Sequence, residues 1–336
     1  MKYFRLIIVL FLAVVCVGHC RGEGTNRTAA AIAKRQGDVN SPAKRETANK
    51  KSEPNDGNSS ELVNAAEVEG PNTLGGYISG DAFNLGFAGI LKEYVNEQGL
   101  VKYSKLRRLR IGLNDAIEKL SNLKPEVYIT WSRNEKIAFW INAYNVCTLK
   151  GIVENYPIKP SRFMLFFYPA NSVMHIRGLR TETYFMIMGI QYTLDEIGKD
   201  VLLGRFDEPR ICFALSCGTM GSAPLRNEPY VGKVLEKQLD EQVRNYFARP
   251  DGLRIDETNK VVYLSPIFRM YKWHEDAFLK QYGTNKLFRE REPVDRAILN
   301  FVKDFVSETN ADFLKKREYS IEYIKYNWQL NDLQTE

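Results

Sequence analysis

The sequence predicts an α+β fold: a helix-rich single domain with a small, mostly antiparallel sheet, preceded by a disordered N-terminal segment. Three observations carry this. Capping boxes and helix stops mark a helical first half, short hairpin signals follow it, and the two kinds of element come in no regular alternation, which argues against a doubly wound sheet. The chain has 336 residues, 44% apolar and 12% aromatic, enough to bury a large core. Lys and Arg number 47 against 41 Asp and Glu, and a formal charge of +6 sets up no field that marks the chain for nucleic acid. No metal-ligand cluster, phosphate loop or dinucleotide fingerprint occurs, so no metal or cofactor is expected.

Residues 1–20 have the form of a secretory signal peptide. Lys2 and Arg5 precede an apolar run of 12 residues, Leu6 to Val17, and small or polar residues follow around Gly18 and Cys20. The run is short of the roughly 20 residues a membrane-crossing helix needs, so removal is expected, with no membrane span afterwards and a secreted, extracellular destination. Residues 21–76 contain no Phe, Trp or Tyr and mix charges of both signs. Such a segment cannot bury enough apolar surface to offset its conformational entropy, and disorder is expected. Asn26 and Asn58 head glycosylation sequons there.

The globular domain is placed at residues 77–331. Helices are expected from about Ala82 to Gln98 and from Ser104 to Leu123. A capping box at Ser132 to Glu135 opens another, which Asn155-Tyr156-Pro157 stops. Lys105, Arg107, Arg108 and Arg110 form a basic cluster on the second helix, read as a solvated face. Tyr184 to Tyr192 reads as a hairpin around Gly189. A second box, Thr193 to Glu196, starts a short helix that ends at Gly204. Ile211 to Leu215 reads as a buried strand. Further helices are expected at Lys233 to Phe247 and Pro293 to Ser307, with a hairpin from Leu253 to Leu264 between them.

Chemistry has two candidate seats. Asn142 and Asn145 lie on neighbouring parts of one face of the helix after Ser132, where buried amides must find partners. Either they fix the path of a nearby loop, or an amide N–H of Asn142 faces a pocket and stabilises negative charge. The second seat is Cys217, followed by a glycine that can supply the turn to present a nucleophile. His175 and His274 are the histidines beyond the signal that could serve it as base, and Asp195, Glu196, Asp207 or Asp276 could orient one of them. An inert core thiol is the competing reading. Cys147, Cys212 and Cys217 are odd in number, and Cys212 could reach Cys217 only across a sharp turn.

Several strings carry a resemblance: Tyr103-Ser104-Lys105-Leu106, Ala138-Phe139-Trp140-Ile141-Asn142-Ala143-Tyr144-Asn145, Tyr192 to Ile197, and Asp207 to Gly218 with its Ser216-Cys217-Gly218 end. Together with Pro224-Leu225-Arg226, Leu264 to Phe268 and the terminal Tyr326 to Asn331, they resemble DUF547, a domain of unknown function. The resemblance brings no substrate. It does imply that five polar or reactive positions depart from the family pattern: Cys212 stands where members often carry His, Ser222 where they carry a second Cys, Gly198-Lys199 where Glu-His is usual, and Asn327 where Asp is usual. Loss of these groups points to a non-catalytic extracellular binding or interaction domain with an unknown partner or ligand. The alternative is a thiol-dependent hydrolase or acyl transferase using Cys217.

Overall fold

The computed structural model describes residues 79–334. The signal segment, residues 21–76 and the sequons at Asn26 and Asn58 lie outside them. The fold is helix-rich α+β. Helix α1 (Ser79–Tyr94) stops five residues before Gly99, because the Asn96 side-chain oxygen accepts from the Gln98 and Leu100 N–H groups (3.1 and 2.8 Å) and closes a turn. One helix was expected from Ser104 to Leu123. The chain instead forms α2 (Tyr103–Arg108) and α3 (Ile111–Asn122), broken at Leu109, whose backbone leaves the helical region, and Ser104 lies inside α2 without capping it. The break lets Tyr103 and Leu106 on one side and Leu113, Ala116 and Leu120 on the other all reach the core. After the short α4 (Pro125–Ile129) comes α5 (Arg133–Glu154), the axis of the domain. Its capping box is complete: Glu135 N–H donates to Ser132 Oγ (3.3 Å), and Ser132 N–H donates to Glu135 Oε2 (2.7 Å). From Ile137 to Val153 almost every side chain of α5 is buried.

Strands β1 (Phe185–Ile187) and β2 (Ile190–Tyr192) pair antiparallel as a hairpin. Met188 (φ 50°) and Gly189 (φ 73°) both occupy the left-handed region, as a type I′ turn requires. The Thr193 box then opens a helical stretch whose residues 196–203 are wound as a π-helix. The strand expected at Ile211 to Leu215 is absent. Pro209–Phe213 is a 3₁₀ turn, and the carbonyl of Ala214 and the N–H of Ser216 are taken by the side chain of Asn145, so these two groups are unavailable for a ladder.

Helix α6 (Leu235–Phe247) leads into β3 (Leu253–Asp256) and β4 (Val261–Leu264), an antiparallel pair. Helices α7 (Lys272–Tyr282), α8 (Pro293–Val302) and α9 (Glu308–Lys316) follow, and β5 (Ser320–Tyr323) joins β4 in parallel. Two of the three strand pairings are thus antiparallel. Phe213 centres an aromatic cluster against Tyr246, Phe247, Phe268 and Phe301, with ring centroids 5.4 to 5.6 Å apart. Each such pair adds about 0.5–1.5 kcal/mol beyond area burial. The chain closes with an extended strap. Met220 N–H donates to Gln329 O (2.8 Å), Asn331 N–H to Gly218 O (3.1 Å), Val101 N–H to Asn331 O (2.8 Å) and Leu333 N–H to Val101 O (2.8 Å). The strap clasps the turn after Cys217 to the start of α2.

Candidate functional site

Three stretches distant in sequence meet at Cys217. Helix α5 supplies Tyr144, whose hydroxyl lies 3.5 Å from Cys217 Sγ. The turn at 214–218 is aimed by Asn145, which donates to Ala214 O (3.0 Å) and accepts from Ser216 N–H (2.9 Å). Gly218 then takes φ +73°, and a Cβ there would run into Ile152, so only glycine lets the chain turn this close to α5. The first turn of α7 supplies His274, and the strap supplies Tyr326. Tyr144, Cys212, Cys217, Ser222, His274 and Tyr326 line one cavity. It offers about 10 Å³ to the centre of a water molecule, room for a single water and no substrate.

Beside the sulfur stands Arg180. Its guanidinium stacks 3.8 Å over the Tyr271 ring and donates to the Tyr271 hydroxyl and to Asp195. Burial pushes the Cys217 thiol above its ordinary value, while the Arg180 charge and the Tyr144 hydrogen bond pull the other way. Burial also holds the Tyr144 and Tyr326 phenols protonated. His274 is buried, and desolvation lowers its pKa to about 4. Its Nδ1 lies 2.6 Å from Ile267 O. A carbonyl only accepts, so Nδ1 carries the proton and Nε2 is the free lone pair of a neutral imidazole.

The other candidates separate from the sulfur. His175 lies outside the cavity lining: its Nδ1 accepts from Ser161 N–H (3.2 Å) and its Nε2 donates to Pro169 O (2.9 Å). Asn142 uses both amide hydrogens elsewhere, on Tyr230 O (2.8 Å) and Asn84 Oδ1 (3.0 Å), and accepts from Tyr230 N–H (2.9 Å), so it has no donor left for an oxyanion. None of the four acidic residues orients a histidine. Asp195 pairs with Arg180, Asp207 with Lys280 and Asp276 with Lys272, while Glu196 accepts from Thr193 in its capping box. Cys147, Cys212 and Cys217 are all free thiols. Among the described residues no cluster of His, Cys, Asp or Glu could hold a metal ion, and no helix is long and apolar enough to cross a membrane.

Sequence reasoning did not single out Arg180, Tyr144, Tyr271 or Tyr326. Tyr144 sits in the specific Phe-Trp-Ile-Asn-Ala-Tyr-Asn string, a signal that was present; Arg180 had none. Three of the five positions where the resemblance implies departures lie here. Cys212 and Ser222 line the cavity, and Gly198 packs against Trp273, which also lines it.

Residues 128–247 match the model of a family described as Protein of unknown function, DUF547. The match takes in Tyr144, Arg180 and Cys217, while Tyr271, His274 and Tyr326 lie beyond it. Neither the curated proteins nor the solved structures gave a match to the chain.

Proposed function

We propose that the domain carrying the DUF547 match is a secreted, non-catalytic binding module. One observation carries the non-catalytic part: Cys217 and His274 share a cavity in which both are held neutral. With the imidazole lowered to about 4 and the thiol raised above its ordinary value by burial, the proton stays on sulfur. Among the described residues the hydrogen-bond partner of the sulfur is a phenol, Tyr144, and no imidazole. Secretion is supported by Lys2, Arg5 and the apolar run to Val17, and the sequons at Asn26 and Asn58 accord with it. The test is labelling with an electrophilic thiol probe at neutral pH. The binding reading expects wild type and Cys217→Ser to label alike; rapid labelling lost in both Cys217→Ser and His274→Gln overturns it. Sequencing the N-terminus of protein recovered from the medium of expressing cells tests the secreted part.

A second reading keeps a claim, because Cys217 and His274 do converge. A thiol hydrolase or acyl transferase would need the cavity to open, so that water reaches both groups and their pKa values move toward each other.

A further inference from the structure

The binding-module reading leaves open what is bound, and the surface answers with one feature. Residues 161–168 form an exposed loop, turned once as 3₁₀ at Met164–Phe166. Its tip leaves Phe163 61%, Phe166 84% and Phe167 57% exposed, with Leu165 at 45%. The loop is not slack. His175 bridges its two ends through Ser161 N–H and Pro169 O, and Tyr168 packs edge-on against Trp328 of the strap. Phenylalanines held exposed on a loop tied at both ends have no role in the core of this fold.

Charge identifies the occupant. Between Glu154 and Glu182 the chain carries no acidic residue, while Lys159 and Arg162 precede the tip. Tyr156 and Pro157, just before the loop in sequence, line an open groove together with Arg107, Arg108 and Arg110. All three arginines are exposed and none forms an ion pair among the described residues; Leu109 and Ile111 between and beside them are exposed as well, at 54% and 82%. Asp332 accepts from Tyr156 OH (2.8 Å), and Glu93 is taken up by Lys105, on the same helix as Arg107 and Arg108 (3.0 Å). An exposed apolar tip next to Lys159 and Arg162, together with the unpaired arginines of the groove, matches an interface that is greasy beneath and negative at its surface. A groove-bound peptide would call for an apolar cleft, and here the apolar residues sit on an exposed loop.

We propose that this face docks on anionic lipid bilayers, with Phe163, Phe166 and Phe167 entering the boundary between headgroups and acyl chains and Arg107, Arg108 and Arg110 meeting the lipid phosphates. This rests on the binding-module reading and supplies its partner class. The test is co-sedimentation of the chain recovered from the medium of expressing cells with phosphatidylcholine vesicles, with and without phosphatidylserine. Binding is expected to need phosphatidylserine and to weaken with salt. It is expected to fall about tenfold in Phe166→Ser with Phe167→Ser, and likewise in Arg107→Ala with Arg108→Ala and Arg110→Ala. These side chains are exposed, so thermal melts of the variants should match wild type. Failure to bind either vesicle, or binding indifferent to the loop substitutions, overturns the proposal. So does a loop variant that loses self-association in place of vesicle binding, which would assign the tip to a protein surface. If vesicles fail while Cys217 stays unreactive, the lipid partner falls and the binding-module reading stands; a reactive Cys217 removes that reading whatever the vesicles show.

Discussion

Asn145 holds Ser216 from across the domain: its side-chain oxygen accepts the Ser216 N–H at 2.9 Å, while its amide donates to Ala214 O at 3.0 Å. One side chain on the central helix thereby fixes the two residues that lead into Cys217. Asn145→Leu would keep the volume and remove both bonds, leaving a buried carbonyl and a buried N–H unpaired. The expected loss is about 3 kcal/mol, seen as a fall in Tm of roughly 8 °C. The turn would also loosen, so Cys217 should react faster with a thiol probe. Asn142→Leu is the control, since it frees the Tyr230 backbone and not the Cys217 turn. Faster labelling in both variants alike would deny Asn145 its particular hold on the sulfur.

His274 makes stability depend on pH. Its folded pKa of about 4 lies below the ordinary 6.5, so between those values the unfolded chain binds a proton that the folded chain refuses. Its contribution is therefore complete above about pH 6.5 and is lost as pH falls toward 4, amounting to about 3 kcal/mol. Denaturant unfolding at pH 7 and pH 4.5 should show this slope in wild type and a shallower one in His274→Gln. An unchanged slope in the variant would mean that the acid sensitivity comes from other groups.

The parts of the fold that were legible are those settled within a few residues. Ser132 and Glu135 announce α5, Pro157 follows its end, and Gly189 marks the β1–β2 hairpin, because capping and left-handed turns are local chemistry. Ile211 to Leu215 was misread because a short apolar run suits a strand or any buried segment equally, and the deciding partner, Asn145, is distant in sequence. Helix α7 has Tyr271 at its N-cap and no side-chain cap bond, so nothing at its start announces it. Helix α9 did carry a signal, Ser307, which was placed at the end of the preceding helix although its hydroxyl caps the next one. The site divides the same way. Cys217 and His274 stood out as reactive types, whereas Arg180 becomes part of it only once the fold lays it over Tyr271 and beside Asp195.

His175 bears on the aromatic loop, not on the thiol. Its ring joins Ser161 N–H to Pro169 O, so His175→Leu removes both ties while filling similar space. The loss of two hydrogen bonds at a partly exposed site is worth about 1–2 kcal/mol of local order. Cleavage by chymotrypsin after Phe163, Phe166 or Phe167 should then speed up by about tenfold, with global Tm little changed. Equal cleavage rates would show that the Tyr168–Trp328 contact alone secures the loop.

Arg180 and Asp195 should move the Cys217 thiol in opposite directions. The guanidinium favours the thiolate and the carboxylate opposes it. Arg180→Gln therefore raises the thiol pKa further and slows alkylation at fixed pH, while Asp195→Asn lowers it and speeds alkylation, each by several-fold, about threefold to tenfold. The measurement is the rate of reaction with iodoacetamide against pH, in a background where Cys147 and Cys212 are alanine. Simple loosening of the fold would accelerate both variants, because either substitution breaks the same half-buried ion pair. Rates that separate, one below and one above the parent, are what a charge acting on the sulfur predicts; rates that rise together would assign the pair to structure alone.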